Sequence, residues 1–327
     1  MQKIIFLAIF VFISVSSFEQ VLLEDKDGDI ILRNQFRKDD NISLIKLNTG
    51  DQSLGFNYII STKSKDENNY KINEFGIKAK PTEGYAAVFS NNQFSPGIKF
   101  SYALTKVRLF SRNVKDPFID WANIELNYDL DKYSLFNQSN TFEKQFYSKN
   151  FNAVNVYFNY NYLITSGGRS INSKLLFTIK AGYSKRNNYD DLNSVTVEDA
   201  VSITDPGTST ERQISKTRTS KEGNFEELDV YPLIFAVTKL TATDSPESPD
   251  AKKLKIGYTA YFKNSASASL PAQNLGIIFF LTKQDKSGIR NPVFGLNLQA
   301  DDPFNIQNAN AGFESRITVG FTTIFSL

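Results

Sequence analysis

"RITVGFTTIFSL", Arg316–Leu327, is the stretch whose reading decides the fold. Ile317, Val319, Phe321, Phe325 and Leu327 recur at every second position, and only Thr323 interrupts the row. Side chains alternate across a strand with a period of two. The segment therefore reads as a β-strand with one greasy face and one polar face, and the chain ends on it.

The same period recurs upstream, and helical periodicity is hard to find. In "GIKFSYALTKV", Ile98, Phe100, Tyr102 and Leu104 oppose Lys99, Ser101, Ala103 and Thr105. In "WANIELNYDLD", Ile124, Leu126, Tyr128 and Leu130 oppose Asn123, Glu125, Asn127 and Asp129. "NAVNVYFNYNYLI" sets Val154, Val156, Phe158, Tyr160 and Tyr162 against Asn155, Tyr157, Asn159, Asn161 and Leu163. "SKLLFTIKAGYSK" sets Leu175, Phe177 and Ile179 against Lys174, Thr178, Lys180 and Gly182. "KKLKIGYTAYF" sets Ile256, Tyr258 and Phe262 against Lys253, Lys255, Gly257 and Thr259. A soluble sandwich also makes such strands. Several of these, however, hold the alternation for about 9–11 residues, the length that crosses a bilayer at a tilt, where soluble strands run about 5–6.

Counting back from Leu327 predicts strands near 315–327, 291–299, 273–283, 252–263, 226–240, 172–184, 151–164, 119–136, 96–110, 70–89, 53–64 and 30–47. That is about 12 (range about 10–14), and an even number suits a single-chain barrel. Connections then alternate between two sides. The short ones include "KDENN", "SRNVKDPF", "TSGGRSI" and "TKQDKSGIR"; the long ones include "NQSNTFEKQFYSKN" and the polar stretch 187–224, read as a loop. "TATDSPESPDAKK" is long for its side.

Composition narrows function. Lys plus Arg is 37 against 35 for Asp plus Glu, so charge gives no case for nucleic acid. There is no cysteine, hence no disulfide or zinc-thiolate site, and no histidine, hence no Ser-His-Asp triad or His–metal site. "DKDGD", Asp25–Asp29, resembles the opening of a calcium loop, but Phe36 stands where that loop needs Glu. Asp190/Asp191 and Asp301/Asp302 read as solvated loop acids. No cofactor, metal site or catalytic residue is expected, and the chain is not expected to be an enzyme.

"MQKIIFLAIFVFISVSS" has Lys3, then an apolar run from Ile4 to Ile13, then Ser14, Ser16 and Ser17. That order is a secretory signal peptide over residues 1–17, leaving 18–327 as the exported protein. No Cys follows to carry a lipid anchor.

Signal segment, dyad strands, alternating loop lengths and the terminal strand together resemble a bacterial outer-membrane β-barrel protein. The resemblance covers the exported chain in architecture, with Phe325 two positions before the end where such proteins commonly carry a terminal aromatic. It implies an all-β, closed, antiparallel, up-and-down transmembrane barrel in the outer membrane of a Gram-negative envelope. The partners it implies are membrane lipid and the barrel-assembly machinery, with an envelope protein partner left open. In lipid each unpaired backbone group costs several kcal/mol, so the last strand should pair with the first. The candidate lumen-lining residues are Lys99, Glu125, Asn127, Asp129, Asn155, Asn159, Asn161, Lys174, Lys180, Lys253, Lys255 and Arg316. About 12 strands fall between filled and open barrels, so the interior is left open between a narrow passage and a filled core. The expected role is a porin-like passive channel or small-solute transporter. The alternatives are a non-conducting structural or partner-binding barrel and, third, a secreted β-sandwich that binds ligand.

Overall fold

A computed structural model describes residues 21–25, 30–34, 41–49, 52–63, 69–81, 96–109, 118–165, 173–204, 211–241, 253–267, 272–284, 290–305 and 312–326. The expected signal segment 1–17 lies outside them. Sixteen strands occur among the described residues: β1 Val21–Glu24, β2 Ile30–Asn34, β3 Ile42–Asn48, β4 Ser53–Lys63, β5 Asn69–Pro81, β6 Pro96–Leu109, β7 Phe118–Phe136, β8 Phe146–Thr165, β9 Ser173–Asn187, β10 Asn193–Thr204, β11 Glu211–Glu222, β12 Glu227–Thr241, β13 Lys255–Ser267, β14 Ala272–Gln284, β15 Arg290–Asp301 and β16 Ile317–Ser326.

Twelve of them close a barrel. Strands β3 to β9 pair in sequence, β9 pairs with β12, and β12 to β16 pair in sequence, every neighbour antiparallel. The seam is β16 on β3, from Thr322↔Asn48 to Ser326↔Leu44. Thr49 lengthens it: its N–H donates to Phe321 O and its hydroxyl accepts the Phe321 N–H, each at 2.9 Å. Closure removes the free edges that an open sheet would leave. The ladder between β9 and β12 skips Tyr231 and Pro232, where proline has no N–H to offer.

The expected strand at 30–47 is corrected. Its first part, β2, pairs with β1 in a separate two-stranded unit, and only β3 joins the wall. The expected strand at 70–89 is described as far as Pro81. The stretch 187–224 is not merely a loop: β10 and β11 form an unbroken hairpin from Asn193↔Glu222 to Thr204↔Glu211. Its polar composition hides the alternation of Val195, Val197, Val201 and Ile203. It meets the wall through two parallel pairs, Lys221↔Leu135 and Glu222↔Phe136. At its base Tyr189 is buried, donates to Ser134 O at 3.1 Å and stacks at 4.4 Å on Tyr133.

Connections fall on two rims. β4, β6, β8, β12 and β14 finish at the rim where β16 finishes, and β3, β5, β7, β9, β13 and β15 at the opposite, long-loop rim. An antiparallel ring forces this alternation, as the spacing predicts.

The greasy rows point outward. Phe158 is 52% exposed and Ile124 50%, and Phe56, Phe100, Ile179, Phe235, Leu275 and Val319 share their outward orientation. The Phe325 side chain and Leu327 lie outside the described residues. No described helix is long and apolar enough to cross a membrane, which says nothing of strands. The intervening residues face a common interior. Toward the rim where β16 finishes, that interior is apolar: Ile72, Val107, Trp121, Leu163, Leu176 and Leu240 belong to one buried cluster. Toward the long-loop rim and the barrel's middle it becomes polar and charged. Strict greasy-out, polar-in alternation therefore describes only part of the barrel.

Two glycines make room for this core. Gly257 is paired with Phe280, and Gly276 with Tyr261. A Cβ at either position would overlap the opposing ring.

Candidate functional site

The β1–β2 hairpin lies inside the barrel. Ile31, on β2, is 1% exposed and belongs to the same apolar cluster as Trp121 and Ile234. Opposite Ile30 in register, at the same end of the hairpin as Ile31, is Glu24, with Asp25 next to it, both carboxylates buried.

Glu24 is held by three donors. Lys46 Nζ reaches Oε1 at 2.8 Å, while Lys78 Nζ and Asn48 Nδ2 reach Oε2 at 3.1 and 3.2 Å. Asp25 Oδ2 accepts from Lys263 Nζ at 2.8 Å, and its carbonyl accepts from Asn48 Nδ2 at 3.1 Å. These lysines stand on β3, β5 and β13, so the hairpin is tied to separate arcs of the wall. Lys180, on β9, adds a bond to Ile30 O at 3.3 Å. Burial pushes the Glu24 carboxyl up, but Lys46 and Lys78, with the Lys46 and Asn48 hydrogen bonds, hold it well below the usual carboxylate range.

The wall also carries charge pairs of its own. Lys180 Nζ sits 3.6 Å from Glu125 Oε2 and 4.0 Å from the centre of the Tyr157 ring. Lys99 Nζ is 3.9 Å from Asp129 Oδ1. Asn127 donates to Glu125 at 2.9 Å, Asn155 to Asp129 at 2.7 Å, and Thr178 to Asn161 at 2.7 Å. Asn155 in turn accepts from Ser184 Oγ and Lys185 N–H, both at 2.9 Å. Asn159 is buried between Asn123 and Lys180 in register.

The expected lining thus falls into groups. Glu125, Asn127 and Lys180 form one group and Lys99, Asp129 and Asn155 another, while Asn159 and Asn161 are buried on the same inward face of β8. Lys174 belongs to β9, but its side chain lies outside the described residues. Lys253 precedes β13 and is exposed at the rim, because the ladder with β14 begins only at Lys255↔Thr282. Lys255 opens that ladder, half-buried, its carbonyl accepting from Thr282 Oγ1 at 3.1 Å. Arg316 ends a 3-10 turn at the long-loop rim and donates from Nη1 to Asp302 O.

Sequence reasoning passes over Lys46, Lys78, Lys263 and Glu24, and weighs Asp25 only as part of the discounted calcium-type loop, whereas its carboxylate meets Lys263. One signal was present: Lys263 continues the face of Lys253, Lys255, Gly257 and Thr259. Nothing in the order of residues places Glu24 and Asp25 inside the ring.

Beside Glu24 is a cavity of ≈ 20 Å³, bordered by Lys46, Lys78, Lys99, Ser101 and Asn127. That is about the room one water needs. Among the described residues the interior holds the hairpin and buried side chains, which agrees with the filled interior of the two left open by the strand number. No metal-holding group of carboxylates occurs among the described residues. No protein-family model matches the chain, and no curated protein matches it.

Proposed function

We propose that the chain is an outer-membrane β-barrel that carries small solutes through a lumen held closed by its own N-terminal hairpin. The outward belt of Phe, Ile, Val and Leu supports the membrane setting, because a ring with greasy rows on the outside and charges within suits hydrocarbon as its solvent. The signal-like segment 1–17 supports export, with the barrel-assembly machinery as the inserting partner. The reading includes no catalytic step, no cofactor and no nucleic acid.

One observation carries the transport reading. The wall closes without β1 and β2, and the described contacts that tie the hairpin to it include three lysine–carboxylate pairs beside the apolar packing of Ile31. A polar seam of this kind is separable from a ring that stands complete. Single-channel recording in planar bilayers tests it. Wild type is expected to stay closed for most of the record, and Glu24→Gln/Asp25→Asn to show discrete steps. Cell fractionation and faster gel migration of the unboiled protein test the membrane setting separately.

The filled interior favours a second reading, a non-conducting barrel that serves as a structural partner in an envelope complex. Absence of current from both proteins, each shown to be folded by its heat-modifiable migration, would select it.

A further inference from the structure

The hairpin does more than occupy space: it presents carboxylates to lysines. We propose that Lys46, Lys78 and Lys263, with Asn48, form a site for small carboxylate-bearing solutes, and that Glu24 and Asp25 fill it from within the same chain. The inference rests on the solute-passage reading and names the class of solute.

The geometry is that of a bound carboxylate. Glu24 takes a lysine on each oxygen and an amide donor on one of them, all within 3.2 Å. Asp25 takes the Lys263 ammonium at 2.8 Å in full shielding from solvent. Two acids on one short segment thus meet three lysines on three different strands. A solute with one or two carboxylates offers the same kind of acceptor.

Energetics make the two occupants alternatives. A buried charge left without its partner costs several kcal/mol. Withdrawing the hairpin removes a carboxylate from each of Lys46, Lys78 and Lys263, and an anion that takes its place offsets that loss. A ligand that binds only the hairpin-out state shifts the population toward that state by its binding free energy. Anion entry and hairpin release are therefore linked, and a neutral or cationic solute has no such lever. The small cavity beside Glu24, bordered by Lys99 as well, places loosely packed space next to the carboxylate that must leave.

The test uses full-length protein in detergent and reads the hairpin rather than a current. Hydrogen exchange over residues 21–34 is followed while sodium succinate is added, against sodium sulfate at equal concentration. Both anions are divalent and give the same ionic strength, but only succinate carries carboxylates. Succinate is expected to speed exchange in the hairpin several-fold more than sulfate, with the wall strands unchanged. In Lys46→Gln/Lys78→Gln that difference is expected to vanish. Equal responses of wild type to the two salts would overturn the proposal and need no variant. Because no conduction is involved, a succinate effect in a barrel that passes no current would retain the site and remove the passage. Current without a succinate effect would do the reverse.

Discussion

Lys263 Nζ lies 2.8 Å from Asp25 Oδ2, with both side chains wholly shielded, although 238 positions separate them in the chain. Removing one partner of a buried ion pair costs about 3–5 kcal/mol. Asp25→Asn is therefore expected to loosen the hairpin by several kcal/mol while the wall stays intact. Hydrogen exchange should rise in 21–34 and stay slow in β8. Adding Lys263→Gln should recover part of the loss, since the two sites are coupled. Unchanged exchange in the single variant would show that the pair does not hold the hairpin.

Acid should release the hairpin. The Glu24 carboxyl titrates well below its ordinary 4.5 when docked, because Lys46 and Lys78 outweigh the burial that pushes it up. A carboxyl depressed on docking contributes stability above its free value, and that contribution is lost as pH falls through the docked value. Trp121 is the only tryptophan and shares a buried cluster with Ile31. Its emission is expected to shift to the red as pH drops progressively below 4.5. In Glu24→Gln the acid-dependent part of that shift should be lost. A wild-type emission flat down to the unfolding of the barrel would count against this account.

The outward belt should be sensitive to depth. Phe158 is half exposed among greasy neighbours, while Asn152 lies on the same face of β8 nearer the long-loop rim. Arginine costs about 2–4 kcal/mol at the midplane of a bilayer and about 0–1 near its edge. Phe158→Arg is expected to reduce the heat-modifiable, folded fraction sharply, and Asn152→Arg to leave it near wild type. Equal folding of both would refute the placement of the belt.

Tyr261 is fastened at its hydroxyl, which donates to Gln299 Oε1 at 2.7 Å and reaches Asn297 Oδ1 at 3.2 Å. Its ring covers Gly276 and cannot swing away without losing those bonds. Gly276→Ala is expected to destabilise by about 1–3 kcal/mol, as overpacking does. Tyr261→Ala in the same chain should relieve that clash, so the two losses should add to less than their sum. Urea unfolding in detergent measures both.

The β10–β11 hairpin should be dispensable to the ring. Its pairs with β7 are only two, and Ser220 adds a hydroxyl contact with Ser134 at 3.2 Å. Replacing residues 194–220 by a short linker is expected to leave the thermal midpoint of the wall within a few degrees of wild type. A collapse of folding would mean that the hairpin helps to build β7 and β8.

Much of the wall was legible in the residue order. The rows of Phe100, Ile124, Phe158, Ile179 and Val319 stand two apart and set which residues share a face, because side-chain direction along a strand is a local property. The number of wall strands and the alternation of rims follow from the same count. The filling of the lumen was not legible. Trp121, Leu176 and Ile234 are apolar yet point inward, and only the neighbouring strands decide that they meet one another.

Alternation by itself determined strands with one greasy and one polar face, since it depends on residues a few positions apart. Only the tertiary structure decided that the segment before β3 turns into the ring instead of extending it. A short strand such as Ile30–Asn34 pairs equally well with a sheet edge or with β1. What settles the matter is where Glu24 and Asp25 find cations, and those stand on strands 22, 54 and 238 residues away, brought to one place by closure of the barrel.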